Sequence, residues 1–175
     1  MTHNRLNRRS LLLGGIAGVA VIGAAAVLRP FTKHASAGDE AVEGQFEINL
    51  SDDEWKARLD AKQYDVLRHE ATERPFSSPL NTNYAKGIYQ CAGCDLPVYS
   101  SETKYDSGTG WPSFYDAMAD AVHTKEDNSL FATRTEVHCR RCGGHFGHIF
   151  DDGPEPTGLR HCLNGVALNF IAAEA

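Results

Sequence analysis

Thr133-Arg134-Thr135-Glu136-Val137-His138-Cys139-Arg140-Arg141-Cys142 runs from a strand-like alternation straight into a Cys-x-x-Cys pair. Thr133, Thr135, Val137 and Cys139 fall on one face, and Arg134, Glu136 and His138 on the other. That period of two predicts a strand within the alternating segment 130–139, with His138 on its solvated side. A second pair, Cys91-Ala92-Gly93-Cys94, follows the strand-like Gly87–Gln90 and is separated from Cys139 by 44 residues. Two such knuckles supply the four soft thiolates of a tetrahedral zinc site and close a long loop. Two disulfides, or a redox-active pair of thioredoxin type, use the same residues. A Cys-x-x-Cys disulfide is strained, however, and the redox type opens a helix that neither segment resembles. Iron also suits four thiolates. With all four positions filled the metal is expected to be structural, one zinc per chain held by Cys91, Cys94, Cys139 and Cys142.

Around the knuckles the chain reads as mainly β, in an α+β arrangement. Ser51-Asp52-Asp53-Glu54 is a capping box, and apolar spacing predicts two short helices at about 52–60 and 62–70. Segments 96–99, 144–150 and 165–171 are further strand candidates. Short helices followed by antiparallel strands form one domain over 49–175.

The first 37 residues have a different character. They hold five of the 17 basic residues and no acidic one. Arg8-Arg9 precede the uncharged 11–28, and Ala35-Ser36-Ala37 offers a small-x-small cleavage site. This is the twin-arginine export pattern, so 1–37 is expected to be a cleaved signal and the protein periplasmic or otherwise extracytoplasmic. An uncleaved anchor at 11–28 is the alternative. Residues 38–48 read as a flexible lead-in. From Gly38 onward all 23 acidic residues stand against 12 basic ones, a formal charge of −11 that excludes a nucleic-acid partner. No obvious apolar interface is present, and a monomer is expected.

The fifth cysteine, Cys162, stands alone in Arg160-His161-Cys162-Leu163-Asn164. A lone thiolate beside basic residues is a nucleophile or a redox centre, and Arg160 with nearby histidines is expected to depress its pKa. Four of the eight histidines (His138, His145, His148 and His161) share 25 residues with it and the second knuckle.

Three blocks, Gly108-x-Gly-Trp-Pro-Ser-Phe114, Cys142-Gly-x-His-x-Gly-His-x-Phe-x-Asp-Gly-Pro154 and Arg160-His-Cys-Leu-Asn164, resemble the B-type peptide-methionine (R)-S-oxide reductases. The resemblance runs over nearly all of 49–170, including Trp55, Tyr64-x-Val-Leu-Arg68 and Thr72–Pro75. It implies β-tent-like sheets and attack of Cys162 on the sulfur of methionine sulfoxide, leaving a sulfenic acid. It also implies His148 as general acid with His145 beside it, Asp152 orienting a histidine, and Asn164 bonding near the reacting centre. Trp111 then packs on the substrate methyl group, with Phe114 in the same block. Many relatives resolve the sulfenic acid with a cysteine where this chain has Thr109. An outside thiol, thioredoxin-like or small, is therefore expected to recycle Cys162. Other classes using the same residues are a non-catalytic zinc-ribbon module and a peroxide sensor built on Cys162.

Overall fold

Asp52–Arg58 (α1) and Ala61–His69 (α2) each begin with a reciprocal cap. The Glu54 carboxylate accepts from the Ser51 N–H at 2.8 Å, and Asp60 accepts from the Lys62 and Gln63 N–H groups. The computed structural model describes residues 46–174; the expected signal, its cleavage site and 11–28 lie outside them. Among the described residues no helix is long and apolar enough to cross a membrane.

Among the described residues, nine strands in two antiparallel sheets follow the helices. Gly87–Cys91 (β1), Pro97–Ser100 (β2) and Leu168–Ala172 (β9) form the smaller, in the order β2-β1-β9. The larger holds Lys104–Tyr105 (β3), Ser113–Phe114 (β4), Val122–Asp127 (β5), Arg134–Cys139 (β6), His145–Phe150 (β7) and Arg160–Leu163 (β8), in the order β3-β4-β8-β7-β6-β5. Three short 3-10 turns join them, and one, Gly165–Ala167, takes the start of the strand expected at 165–171. The mainly β class with two short N-terminal helices is what the structure shows. β5 and β8 carry no strong alternation and were not among the strand candidates.

The core lies between the sheets and under α2, with Tyr89, Tyr99 and Phe114 all fully buried. Their rings meet at 5.0 Å (Tyr89–Phe114) and 4.7 Å (Tyr99–Phe114), an aromatic cluster that anchors both sheets. This corrects the expectation for Phe114. It is core, without a surface to offer a substrate.

His138 is also corrected. It is 5% exposed, because residues 136–139 are buried on both faces of β6. One cover is Phe46, whose ring stands edge-on to His138 at 5.7 Å. The same ring occupies the space beside Gly143 (φ +67), where a Cβ would lie 2.3 Å from Phe46 Cε2. The Ile48 N–H donates to the Arg141 carbonyl at 2.9 Å. Phe46–Ile48, read as the end of a flexible lead-in, are thus docked on the second knuckle.

Candidate active site and metal centre

Each sheet contributes one knuckle. Cys91 ends β1 with Cys94 in the turn beyond it, and Cys139 ends β6 with Cys142 likewise. Their four Sγ atoms lie within 4.8 Å of one another and all are buried. Cys91–Cys142 and Cys94–Cys139 are 3.6 and 3.5 Å apart, far beyond a disulfide bond. A regular tetrahedron with metal–sulfur bonds of about 2.3 Å has sulfurs about 3.8 Å apart, so the set fits a four-thiolate metal ion. Such an ion ties the two sheets together at one end of the core.

The larger sheet then carries a row of side chains across four strands. Ser113 on β4 pairs with Cys162 on β8, Cys162 with His148 on β7, and His148 with Glu136 on β6. Directly opposed residues in antiparallel strands share a face, so these four line up on one side. Neighbours in sequence point the other way. Phe114 and His161 pair with each other on the core side, where His161 Nδ1 meets the Tyr99 hydroxyl at 3.0 Å. Burial holds His161 near pKa 4, so it is neutral and lends Cys162 no charge. Gly147 lets β7 and β8 close up; a Cβ there would lie 2.1 Å from the Cys162 carbonyl oxygen.

Two carboxylates serve three histidines here, Glu136 holding both His145 and His138, and Asp127 holding His148. His145 Nδ1 and His138 Nδ1 donate to the two oxygens of Glu136 at 2.6 and 2.7 Å. His148 Nε2 donates to Asp127 at 2.7 Å, and the rings of His145 and His148 are 5.5 Å apart. Burial lowers the His148 pKa below its ordinary value, partly offset by the Asp127 hydrogen bond. Asp127 is itself held well below the carboxylate range by Ser129 first, then His148 and Arg134. Asp152 does not orient a histidine. Its carboxylate takes a two-bond fork from Arg160, at 2.8 and 2.9 Å, and Arg160 also lies over the Phe150 ring at 4.4 Å.

Cys162 itself departs from the sequence expectation. Burial pushes its thiol up, and the Arg160 charge with the Thr109 hydrogen bond only partly reverses this, so it rests protonated. Thr109 Oγ1 stands 4.0 Å from Cys162 Sγ and belongs to a hydroxyl chain, 2.8 Å to Ser107 and 2.7 Å on to Ser113.

A pocket of about 160 Å³ opens over the thiol, lined by Thr72, Trp111, Arg134, Gly147, His148, Phe150, Cys162, Leu163 and Asn164. Trp111 is set by its indole N–H, which donates to the Glu73 carbonyl at 3.1 Å. Asn164 is spent on the scaffold: its NH₂ donates to the Phe146 carbonyl at 3.0 Å and its oxygen accepts from the Glu73 N–H at 2.9 Å. The structure therefore brings Cys162, His148, Trp111 and Asn164 to one pocket, with Arg160 beside Cys162 on β8 and His145 behind His148.

Sequence reasoning missed Asp127, Glu136, Arg134, Glu73 and Thr72 as site residues. A readable signal existed for Asp127: Asp-x-Ser is an Asx-turn pattern, and its Oδ1 accepts the Ser129 N–H at 2.9 Å. For Glu136, flanked on its face of the strand by Arg134 and His138, local sequence carries no such signal.

Glu136 also makes a stability prediction. Burial alone pushes its carboxyl up, but the hydrogen bonds from His138 and His145 outweigh this and bring it to about 2. A folded pKa below the unfolded one contributes stability that is full above about pH 4.5 and is lost as pH falls towards 2. Glu136→Gln leaves one imidazole N–H without an acceptor and is expected to lose about 2–4 kcal/mol at neutral pH. Urea unfolding at several pH values reads both effects: the variant starts lower and shows a flatter acid slope.

Residues 59–172 match the SelR domain family. The peptide methionine sulfoxide reductase MsrB of Methanosarcina mazei is 55% identical over 131 residues, covering 74% of this chain and 94% of the relative. The enzyme of the same name from Agrobacterium fabrum is 47% identical over 124 residues, 70% of this chain and 92% of the relative. The chloroplastic peptide methionine sulfoxide reductase B1 of Arabidopsis thaliana is 48% identical over 136 residues, 77% of this chain and 67% of the relative.

Proposed function

The chain belongs to the SelR domain family and is an oxidoreductase that reduces methionine sulfoxide, and on that premise we propose that it acts on the R epimer in polypeptides through Cys162. The observation that carries the reading is the row in which Cys162 faces His148 across one strand pair, beneath a pocket walled by Trp111.

The resting thiol is protonated and His148 neutral, so the proton needed for S–O cleavage is already in the site. His148 Nε2–H is committed to Asp127, which leaves Nδ1 to accept the Cys162 proton as its sulfur attacks the sulfoxide sulfur. The imidazolium then returns that proton to the sulfoxide oxygen. The S–O bond breaks, the OH group passes to Cys162, and methionine leaves. Thiol plus sulfoxide becomes sulfenic acid plus thioether, with no proton drawn from outside. Arg160, fixed by Asp152, stabilises the transient thiolate. His145 supports His148 from behind, its own orientation set by Glu136. Trp111 packs on the substrate methyl group and so selects the epimer.

Recycling follows from the cysteine inventory. Four of the five thiols form the metal set, and the side chain that stands 4.0 Å from Cys162 Sγ is the Thr109 hydroxyl. Two equivalents of an external thiol therefore reduce the sulfenic acid, releasing water and a disulfide. A thiol whose pKa is raised is a poor peroxide sensor, which favours the reductase over the sensor. Zinc fits the four-thiolate set best, as a structural ion. Residues 1–37 direct export by the twin-arginine route, and cleavage before Gly38 releases the domain; the reducing thiol then lies outside the cytoplasm.

Turnover of separate R and S epimers of an N-acetyl-methionine sulfoxide amide, with excess dithiothreitol, tests this. Reduction of R alone is expected. Reduction of S alone, or of neither, would sink the reading. The intact mass of the exported protein reports whether it begins at Gly38.

A further inference from the structure

At about 160 Å³ the Cys162 pocket holds one side chain and no flanking peptide. A second cleft, of about 790 Å³, lies on the other side of Thr72, which lines both. Buried Val66 and Leu168 form its floor, and exposed Lys62 and Ser77 stand at its rim.

The partition between pocket and cleft is braced. The Glu73 N–H donates to Asn164, its carbonyl accepts from Trp111, and its carboxylate accepts the Gly165 and Val166 N–H groups at 2.7 and 3.1 Å. One residue thus sets Trp111 for the pocket and the 165–166 backbone for the cleft.

A second, independent feature concerns β9, whose Leu168, Asn169 and Phe170 line the cleft. It is the outer strand of its sheet, paired with β1 alone among the described residues. Bonds from Ala92 N–H to the Ala167 carbonyl and from Ala173 N–H to the Lys86 carbonyl set the phase of that pairing. Asn169 and Ile171 therefore exchange their main-chain bonds with β1, and those of Phe170 and Ala172 face outwards. An open edge of this kind is a template for another extended chain.

We propose that the cleft binds the main chain of the substrate polypeptide flanking the methionine sulfoxide, added as a strand on the free edge of β9. The proposal rests on the sulfoxide reduction proposed above and names how its macromolecular substrate is held. A sulfoxide side chain over Cys162 places its own backbone at the mouth of the pocket. From there the neighbouring residues cross Thr72 into the cleft. Main-chain bonding gives affinity without demanding a fixed sequence, which suits an enzyme whose target is an oxidised residue in varied surroundings.

The test uses the full chain and compares kcat/KM for an N-acetyl-methionine (R)-sulfoxide amide with that for a nine-residue peptide carrying the sulfoxide at its centre. The peptide is expected to be favoured about tenfold, the worth of one or two added main-chain hydrogen bonds. N-methylation of the flanking residues, which removes their N–H donors, brings the peptide-to-amide ratio towards one. Ser77→Trp, which fills the cleft at its rim, does the same. If the amide is reduced but the peptide has no advantage, as when the chain's own N-terminal residues fill the cleft, the cleft proposal is overturned and the activity stands. An advantage that survives both N-methylation and Ser77→Trp also overturns it. If neither substrate is reduced, the activity falls and the cleft proposal with it.

Discussion

Cys162→Ser abolishes turnover, with a loss on the order of 10⁴- to 10⁶-fold in kcat, while the domain keeps its fold and its metal. The proposed reaction needs an atom that can attack sulfur, take up the oxygen and then release it as water when an external thiol reduces it. A serine hydroxyl can do none of these, and the nearby Ser113 and Thr109 hydroxyls are no better placed chemically. The structural cost is small. Cys162 is half-buried at the floor of an open pocket, and the change from sulfur to oxygen leaves β8 paired with β4 and β7, so the stability change is expected to stay within about 1 kcal/mol. Single-turnover assays with dithiothreitol, beside thermal melts and metal analysis of the same sample, separate the two. A variant with native activity would remove Cys162 from the mechanism.

Cys139→Ser has the opposite signature: metal, cooperative folding and activity are lost together. Stripping metal from the wild type with a strong chelator is expected to do the same. Four-thiolate zinc sites bind with an apparent free energy of about 10–16 kcal/mol, comparable to or larger than the whole net stability of a domain, about 5–15 kcal/mol. Here the four thiolates that would hold the ion lie at the end of β1 and the end of β6, one strand from each sheet. Without it, mutual repulsion of any thiolates formed within 3.6 Å opens that end of the core. Near-ultraviolet circular dichroism and metal content, followed against chelator concentration, report the coupling. A domain that stayed folded and active after complete metal loss would show that the aromatic cluster alone suffices. The pair of variants dissociates the five cysteines, four holding the fold and one carrying the chemistry.

Much of this was legible from local spacing. A capping box and near-helical apolar spacing located α1 and α2 to within two residues, because helix signals lie within one or two turns of chain. The two knuckles were legible because a metal-binding turn is a four-residue device. The alternation of 130–139 located β6, with its start placed too early, but misjudged its sides, since Phe46 and the Glu136 cluster cover the face assigned to solvent. β5 and β8 were missed for a related reason. Val122-His123-Thr124-Lys125-Glu126-Asp127 and Arg160-His161-Cys162-Leu163 have little hydrophobic pattern of their own and are strands because their neighbours pair with them.

The family, the two short helices, the four-cysteine set and the identity of the lone thiol are readable from the chain alone. All of these rest on residues close together in the chain or on ordered motif blocks. Which carboxylate serves which histidine emerges with strand pairing. Asp127 holds His148, Glu136 holds His145, and Asp152, though close to His148 in sequence, is taken by Arg160 instead. Tertiary packing also turned Phe114 into core and left Cys162 protonated. The reason is common to all three. Strand register sends alternate residues to opposite faces and joins positions far apart in the chain, and what each side chain meets there, by burial or by hydrogen bond, sets its exposure and its proton affinity.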